Sequence, residues 1–322
     1  MANAKTAWLV PVAGAVALGL LPLVVTTYGQ DLVMRIMVFA VFALSLELLV
    51  GTTGLVSLGH AAFFGIGAYI TVLLSPASEA GSVWLLLPLA MLAAAAYALV
   101  VGALSLRTKG IYFIMVTLAF GQMAYFVFHD TPVGRGTDGI FLNLRPVLEL
   151  GSAALDLGDR MHRYYLTLAA LAATYALLAL VLRSRFGRAL AGIKVNEQRM
   201  RAAGFPTYPY KLAAFVLAGA LAGLAGFLLA AKDAAANPEL LSWHESGVVL
   251  LMIILGGLGH LRGAVIGAAA FTLLRELYGT YSIVGPLADH WQLTLGFTVI
   301  AFVALLPQGL IGLPARLRTA RG

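Results

Sequence analysis

Long apolar runs alternate with short polar breaks along the whole chain. Grouping runs against breaks gives ten segments, near 8–27, 33–50, 59–75, 83–105, 110–128, 164–182, 211–231, 247–259, 264–281 and 291–307. Most have the roughly 20 residues a helix needs to cross a hydrocarbon core about 30 Å thick. The third and eighth are short for that distance, so each is expected to be tilted, broken or re-entrant. The pattern predicts an all-α polytopic membrane protein with about ten transmembrane helices (eight to ten), some short or broken. Composition agrees: 61% of the 322 residues are hydrophobic and 11% charged, with a mean hydropathy of +0.92. A soluble domain would carry about a quarter charged residues. No polar stretch is long enough for a second domain, so residues 1–322 read as one membrane domain. Trp8–Thr27 has spanning length and no small-x-small cleavage site, which predicts a retained span and not a signal peptide.

Charge placement sets the expected orientation through the lysine and arginine bias of short loops. Segment 183–211 holds Arg183, Arg185, Arg188, Lys194, Arg199, Arg201 and Lys211 against one acid, Glu197. The turn at Arg107 and Lys109 is basic, as is the tail with Arg316, Arg318 and Arg321. Loop 129–163 mixes five acids with four arginines, and 232–246 has three acids and one lysine. Placing the basic segments in the cytoplasm puts the other two loops outside, and ten spans satisfy that alternation with both termini cytoplasmic. The basic residues lie close to spans and lack an aromatic-rich soluble platform, which argues against nucleic-acid binding.

Segment 183–211 is more structured than anchoring requires. Asn196 is placed to cap a short helix, "EQRMRAA" follows, Gly204 can turn left-handed, and Pro206 and Pro209 prevent continuation. Two turns are too short to stand alone. The exposed side mixes Glu197, Arg199 and Arg201 with Met200, a composition suited to a protein interface. The helix is either a plain tie between two spans or a coupling helix that receives force from a soluble partner.

Two apolar segments are rich in glycine. "GTTGLVSLGH" carries Gly51, Gly54 and Gly59 beside Thr52, Thr53 and Ser57, and "ILGGLGHLRG" carries Gly256, Gly257 and Gly259. Backbone groups freed by a broken membrane helix need protein or cavity water as partners, so such breaks suggest a solute path. Candidate pathway residues are Gly54, Ser57, Gly59, His60, Phe63, Tyr69, Thr117, Gln122, Gly256, Gly257 and Gly259. Tyr69, Thr117 and Gln122 suit ordinary interhelical hydrogen bonds equally well. The two segments echo each other at an offset of 200, pairing Gly59, His60 and Gly67 with Gly259, His260 and Gly267. A true repeat six spans apart would place its copies in the same orientation.

Buried ionisable residues in membranes are functional candidates by default. The expected role of His60 and His260 is nonetheless a neutral ring at a helix end, bonded to a backbone carbonyl. Arg35 and Glu47 lie near predicted span ends and are expected to snorkel, with a pathway role as the alternative. No carboxylate or second histidine stands at ligand spacing beside either histidine, and cysteine is absent, so no metal site is expected. Gly219-x-x-x-Gly223, with Gly226 following, is a small-residue face suited to close helix packing.

Six ordered stretches carry a family resemblance: "GLVSLGHAAFFGIGAY", "RTKGIYFIMVTLAFGQM", "GRGTDGI", the segment running from "FGRALAGIKVNEQRMRAAGFPTYPYK" into the next span, "ILGGLGHLRGAVIGA" and "PQGLIG". Together they resemble permeases of the bacterial branched-chain amino acid ABC-importer family, the M-type member of the paired permeases most of all. The resemblance covers most of 31–313 and is weaker around 145–160. It implies a non-catalytic transport subunit of the inner membrane. Its implied partners are a second related permease, two cytoplasmic ATPases that use ATP and Mg, and a periplasmic binding protein. It also implies ATPase coupling through Gly187, Arg188, Asn196, Glu197, Arg201, Ala202 and Gly204.

The residues agree on one negative point: the chain contains no G-x-x-x-x-G-K-[ST] phosphate loop, so it carries no ATP site of that kind. Permeases for urea or short amides remain open within the family. An ion-coupled secondary transporter remains open from another class, resting thinly on Glu47. An intramembrane enzyme is disfavoured: H-E-x-x-H is absent, and Ser57 with His60 pair by spacing only.

Overall fold

Each apolar run becomes a helix in the structure, a computed structural model that describes residues 4–76, 78–150, 153–281 and 285–313. The helices over these runs are α1 (Ala4–Leu20), α2 (Thr27–Glu47), α3 (His60–Leu73), α4 (Val83–Ser105), α5 (Ile111–Asp130) and α6 (Arg160–Arg183). They continue with α9 (Thr207–Asp233), α10 (Trp243–Gly256), α11 (Leu261–Gly279) and α12 (Trp291–Leu305). Two further short helices, α7 (Arg185–Val195) and α8 (Glu197–Ala202), occupy the basic segment where one was expected. The basic tail with Arg316, Arg318 and Arg321 lies outside the described residues.

Not every run spans alone. Among the described residues, six helices are long and apolar enough to cross a membrane, while α10 and α11 meet at a 115° bend and qualify only as a pair. Helix α3 and the first apolar helix, over Val12–Leu23, are shorter, so the span expected at 8–27 is not among the six. The third and eighth segments, too short by sequence, are thus the two that adjoin helix breaks. In both, a polar or glycine-rich connection replaces the missing turns.

Helix α2 forms the centre. Every residue from 37 to 50 is buried, with α6, α9, α10 and α11 packed around it. Peripheral helices keep an apolar stripe outward, such as Leu85, Leu92 and Leu99 on α4 and Leu293, Phe297 and Ile300 on α12. Apolar side chains on an outer face suit lipid as the solvent.

Small residues set the closest approaches, because lipid gives helices little hydrophobic reason to associate and dispersion must supply it. A Cβ built on Gly67 of α3 would strike the backbone of Gly223 on α9, and one on Gly226 would strike Phe64 and Ala68. Gly219 and Gly223 turn their other side to Ala98 and Ala94 of α4. The small-residue face of α9 therefore packs against α3 and α4 together. Gly65 and Gly67 do not bend α3, which runs unbroken through both.

The two mixed-charge loops share one end of the bundle. Strand β1 (Ile140–Phe141) pairs with β4 (Ala235–Ala236), Ile140 opposite Ala236, and Arg145 donates to the carbonyls of Ala231 (3.2 Å) and Lys232 (3.3 Å). A hairpin of β2 (Val147–Leu150) and β3 (Ala153–Asp156) completes that end. Helices α7 and α8 lie at the other end, beside the C-terminus of α2. This separation matches the one expected from charge.

Candidate coupling site and helix breaks

The α7–α8 unit is assembled from local signals. Ser184 caps α7, its Oγ accepting the Gly187 N–H at 3.3 Å. Gly187 is buried in the tight α6–α7 corner, where a Cβ would press on the backbone of Val181 and Leu182. Arg188 is exposed, while Leu190 and Ile193 turn inward. Asn196 ends α7 and begins α8: its N–H donates to Gly192 (3.0 Å) and its Oδ1 accepts the Arg199 N–H (2.9 Å). Gly204 closes α8 at φ +84°, a left-handed conformation that costs a glycine little.

Tertiary bonds then fix a helix too short to be stable alone. Glu197 Oε1 accepts Arg201 Nη2 at 2.5 Å, Thr207 Oγ1 at 3.0 Å and Lys211 Nζ at 2.9 Å. Arg201 Nε also donates to Thr207 Oγ1 (3.0 Å). Burial alone would raise the Glu197 carboxyl, but its bonds to Lys211, Thr207 and Arg201 outweigh that and hold it below its usual range. Glu197 and Arg201 thus orient the helix as much as they present it. The outward surface includes Gln198, Arg199, Arg201, Ala202 and Gly204, flanked by exposed Val195 and Phe205. Thr207 and Lys211 escaped sequence reasoning because Lys211 reads as one more basic residue in a basic segment.

The first break follows α2. Its last turn widens into a π-helical turn, Leu48–Thr53, which ends at Gly54 with φ +74°. Residues 54–59 are non-helical, and α3 begins at His60. Lys194, at the end of α7, donates from Nζ to the Gly51 carbonyl at 2.7 Å, satisfying an acceptor that the ending helix leaves open.

The second break joins α10 to α11 through Gly257 (φ +119°) and Gly259 (φ +84°). Gly256 and Gly267 allow the two helices to touch backbone to backbone, and Gly309 of the "PQGLIG" segment packs on Gly257. A cavity of about 530 Å³ opens here, lined by Leu258, His260, Gln308 and Ile311 among others. Glu47 does not snorkel. It is 3% exposed, and its Oε1 accepts the Gly259 N–H at 2.6 Å. Arg35 lines a smaller cavity of about 160 Å³ at the opposite end, with Tyr28, Asp31, Lys232 and Glu276.

The two echoing segments run in the same direction. Tyr28 bonds to Glu276 while Glu47 bonds to Gly259, so α11 is antiparallel to α2. The Ser45–His60 and Phe39–Phe64 contacts make α3 antiparallel to α2 as well. His60 sits at a helix end as expected, but its partner is a side chain and not a carbonyl: Nε2 lies 2.8 Å from Ser45 Oγ. Its ring stacks on Phe42, which removes it fully from solvent. The neighbouring Ala61 N–H donates to Ser246 Oγ at 2.8 Å, so hydroxyls replace water at this helix start. His260 is exposed, with Nδ1 3.2 Å from the Leu258 carbonyl.

Other candidate pathway residues are packed in the subunit interior. Ser57, Phe63, Tyr69 and Thr117 are buried. Tyr69 stacks on Phe128 at 4.3 Å, and Thr117 Oγ1 donates to the Ile114 carbonyl at 2.9 Å. Gly59 presses its backbone on Thr117 and Gly121 of α5. Gln122 is half-buried, and Tyr125 hydroxyl donates to Glu239 at 3.4 Å.

A central buried helix, two glycine-bearing breaks and a surface helix pair on one end belong to a multi-pass membrane protein. The chain belongs to the family described as the permease component of branched-chain amino acid transport systems, whose model matches residues 30–305. It is 30% identical over 311 residues to the high-affinity branched-chain amino acid permease protein LivM of Salmonella typhimurium and equally to LivM of Escherichia coli, covering 90% of this chain and 71% of each relative. LivH of Escherichia coli is 23% identical over 291 residues, covering 86% of this chain and 92% of LivH.

Proposed function

We propose that this chain is the membrane subunit of an ABC importer that moves branched-chain or other hydrophobic amino acids from periplasm to cytoplasm. The carrying observation is the α7–α8 pair: it is anchored by Glu197, exposes an interface-like surface and touches the α2 break through Lys194. A motor acting on that surface has a short physical route into the membrane. In this reading the chain pairs with a second, related permease in a complex with two cytoplasmic ATPases, and α8 docks into a cleft of one of them. It receives solute from a periplasmic binding protein at the β1–β4 end. ATP and Mg belong to the ATPases. About ten helices (eight to ten), some short or broken, thread the membrane with both termini cytoplasmic.

Reconstitution with these partners in proteoliposomes tests the proposal. Uptake of labelled leucine, isoleucine or valine should require both ATP and the binding protein. Uptake without any ATPase would reject the ABC mechanism. A binding protein that retains urea and no amino acid would reject the substrate while leaving the mechanism.

A further inference from the structure

Two hydrogen bonds connect parts of the chain that are far apart in sequence. Lys194 of α7 holds the Gly51 carbonyl in the π-turn of α2 (2.7 Å). One turn earlier, Glu47 holds the Gly259 N–H in the α10–α11 break (2.6 Å). Gly51 lets both bonds coexist, because a Cβ there would strike the Glu47 carboxylate. The surface pair is itself tightly joined: a Cβ on Gly192 of α7 would meet Met200 Sδ of α8 at 2.8 Å. A continuous set of polar and steric contacts therefore runs from α8 through α7 and the π-turn to the second break.

We infer that Glu47 is a positioning residue that makes both helix breaks move with the α7–α8 pair, Lys194 supplying the link on the surface side. The inference rests on the ABC-coupled reading above. Its chemistry is specific. A carboxyl oxygen is a good acceptor for a backbone N–H, and the Glu47 side chain is buried, so its bond is costly to leave unmade. An acid placed inside a membrane span without such a task would be expensive. Lys194 and Glu47 act one turn apart on the same break, and Gly51 is the residue both meet, so the two links are not independent.

The test measures solute transported per ATP hydrolysed in the fully assembled transporter. Glu47→Ala should lower that ratio roughly tenfold or more, since the bond that ties the Gly259 N–H to α2 is lost, while ATP hydrolysis continues. Glu47→Gln retains an oxygen acceptor and should restore most of the ratio. Gly51→Ala changes no charge, yet should displace the carboxylate and reproduce the Glu47→Ala defect. Lys194→Met should also uncouple, and combining it with Glu47→Ala should add little. A ratio unchanged in Glu47→Ala would overturn the inference. Should that variant fail to assemble, wild-type ratios in both Gly51→Ala and Lys194→Met would overturn it. Absence of ATP-dependent uptake by the unmodified transporter would instead reject the underlying reading.

Discussion

Lys211, in the first turns of α9, points back across the proline-containing turn and bonds to Glu197 of α8 at 2.9 Å, with only 8% of its side chain exposed. A nearly buried ammonium needs a partner, and Glu197 is the acid available to it in that segment. The bond joins a surface helix of two turns to a helix long enough to span a membrane.

Glu197→Ala should therefore do more than remove a surface charge. Loss of hydrogen bonds to charged groups, with Lys211 left shielded, should cost about 1–3 kcal/mol locally. Faster amide exchange over 198–205, with the helices of the bundle unaffected, is the expected observation. Glu197→Ala combined with Gly204→Pro should uncouple ATP hydrolysis from transport, and unchanged transport would remove the lever model.

The same cluster predicts a pH dependence. The Glu197 carboxyl is held below its ordinary value, 4.5, so the folded state binds the proton less tightly than the unfolded one. The stabilisation is complete above that value and is lost as pH falls through the depressed folded value. Amide protection of α8 should hold at pH 6 to 7 and decline only below about pH 4.5. A decline already under way at pH 6 would contradict the assignment.

Asn196 supplies the only side-chain cap found for α8 among the described residues. Asn196→Ala should cost about 1 kcal/mol, whereas Asn196→Asp should retain the cap. Exchange at the Arg199 amide, the cap's donor, reports this directly.

Glycine substitutions should separate steric from conformational demand. Gly67→Ala inserts a methyl against the Gly223 backbone and should cost about 1–3 kcal/mol through forced separation of α3 and α9. Gly204→Ala meets open space but must hold φ +84°, which should cost about 1 kcal/mol. Thermal melting in detergent should show the first variant the less stable.

The proposed docking surface makes its own prediction. Val195 is 82% exposed and Phe205 40% exposed, one on each side of α8. Val195→Glu with Phe205→Glu should weaken capture of the ATPases by roughly tenfold while leaving membrane insertion intact. Equal capture would remove these two residues from the interface.

Helix type, helix order and the short surface helix follow from the sequence alone, because hydrophobic run length, capping residues and proline positions act locally. The charge bias likewise separated the basic segment from the two mixed-charge loops without any coordinates. Even the two breaks were legible, since glycines, joined at the first by Thr52, Thr53 and Ser57, crowd into apolar runs too short to span. Their partners were not. Glu47 and Gly259 are 212 positions apart, and Lys194 and Gly51 are 143 apart. No local pattern encodes which carboxylate meets which amide. His60 shows the same division: its helix-end position was readable, but Ser45 as its partner was not. The tertiary structure decided these pairings because the packing of α2 against α11, and against α3 through Phe39, Phe42 and Phe64, determines which buried polar groups can reach each other.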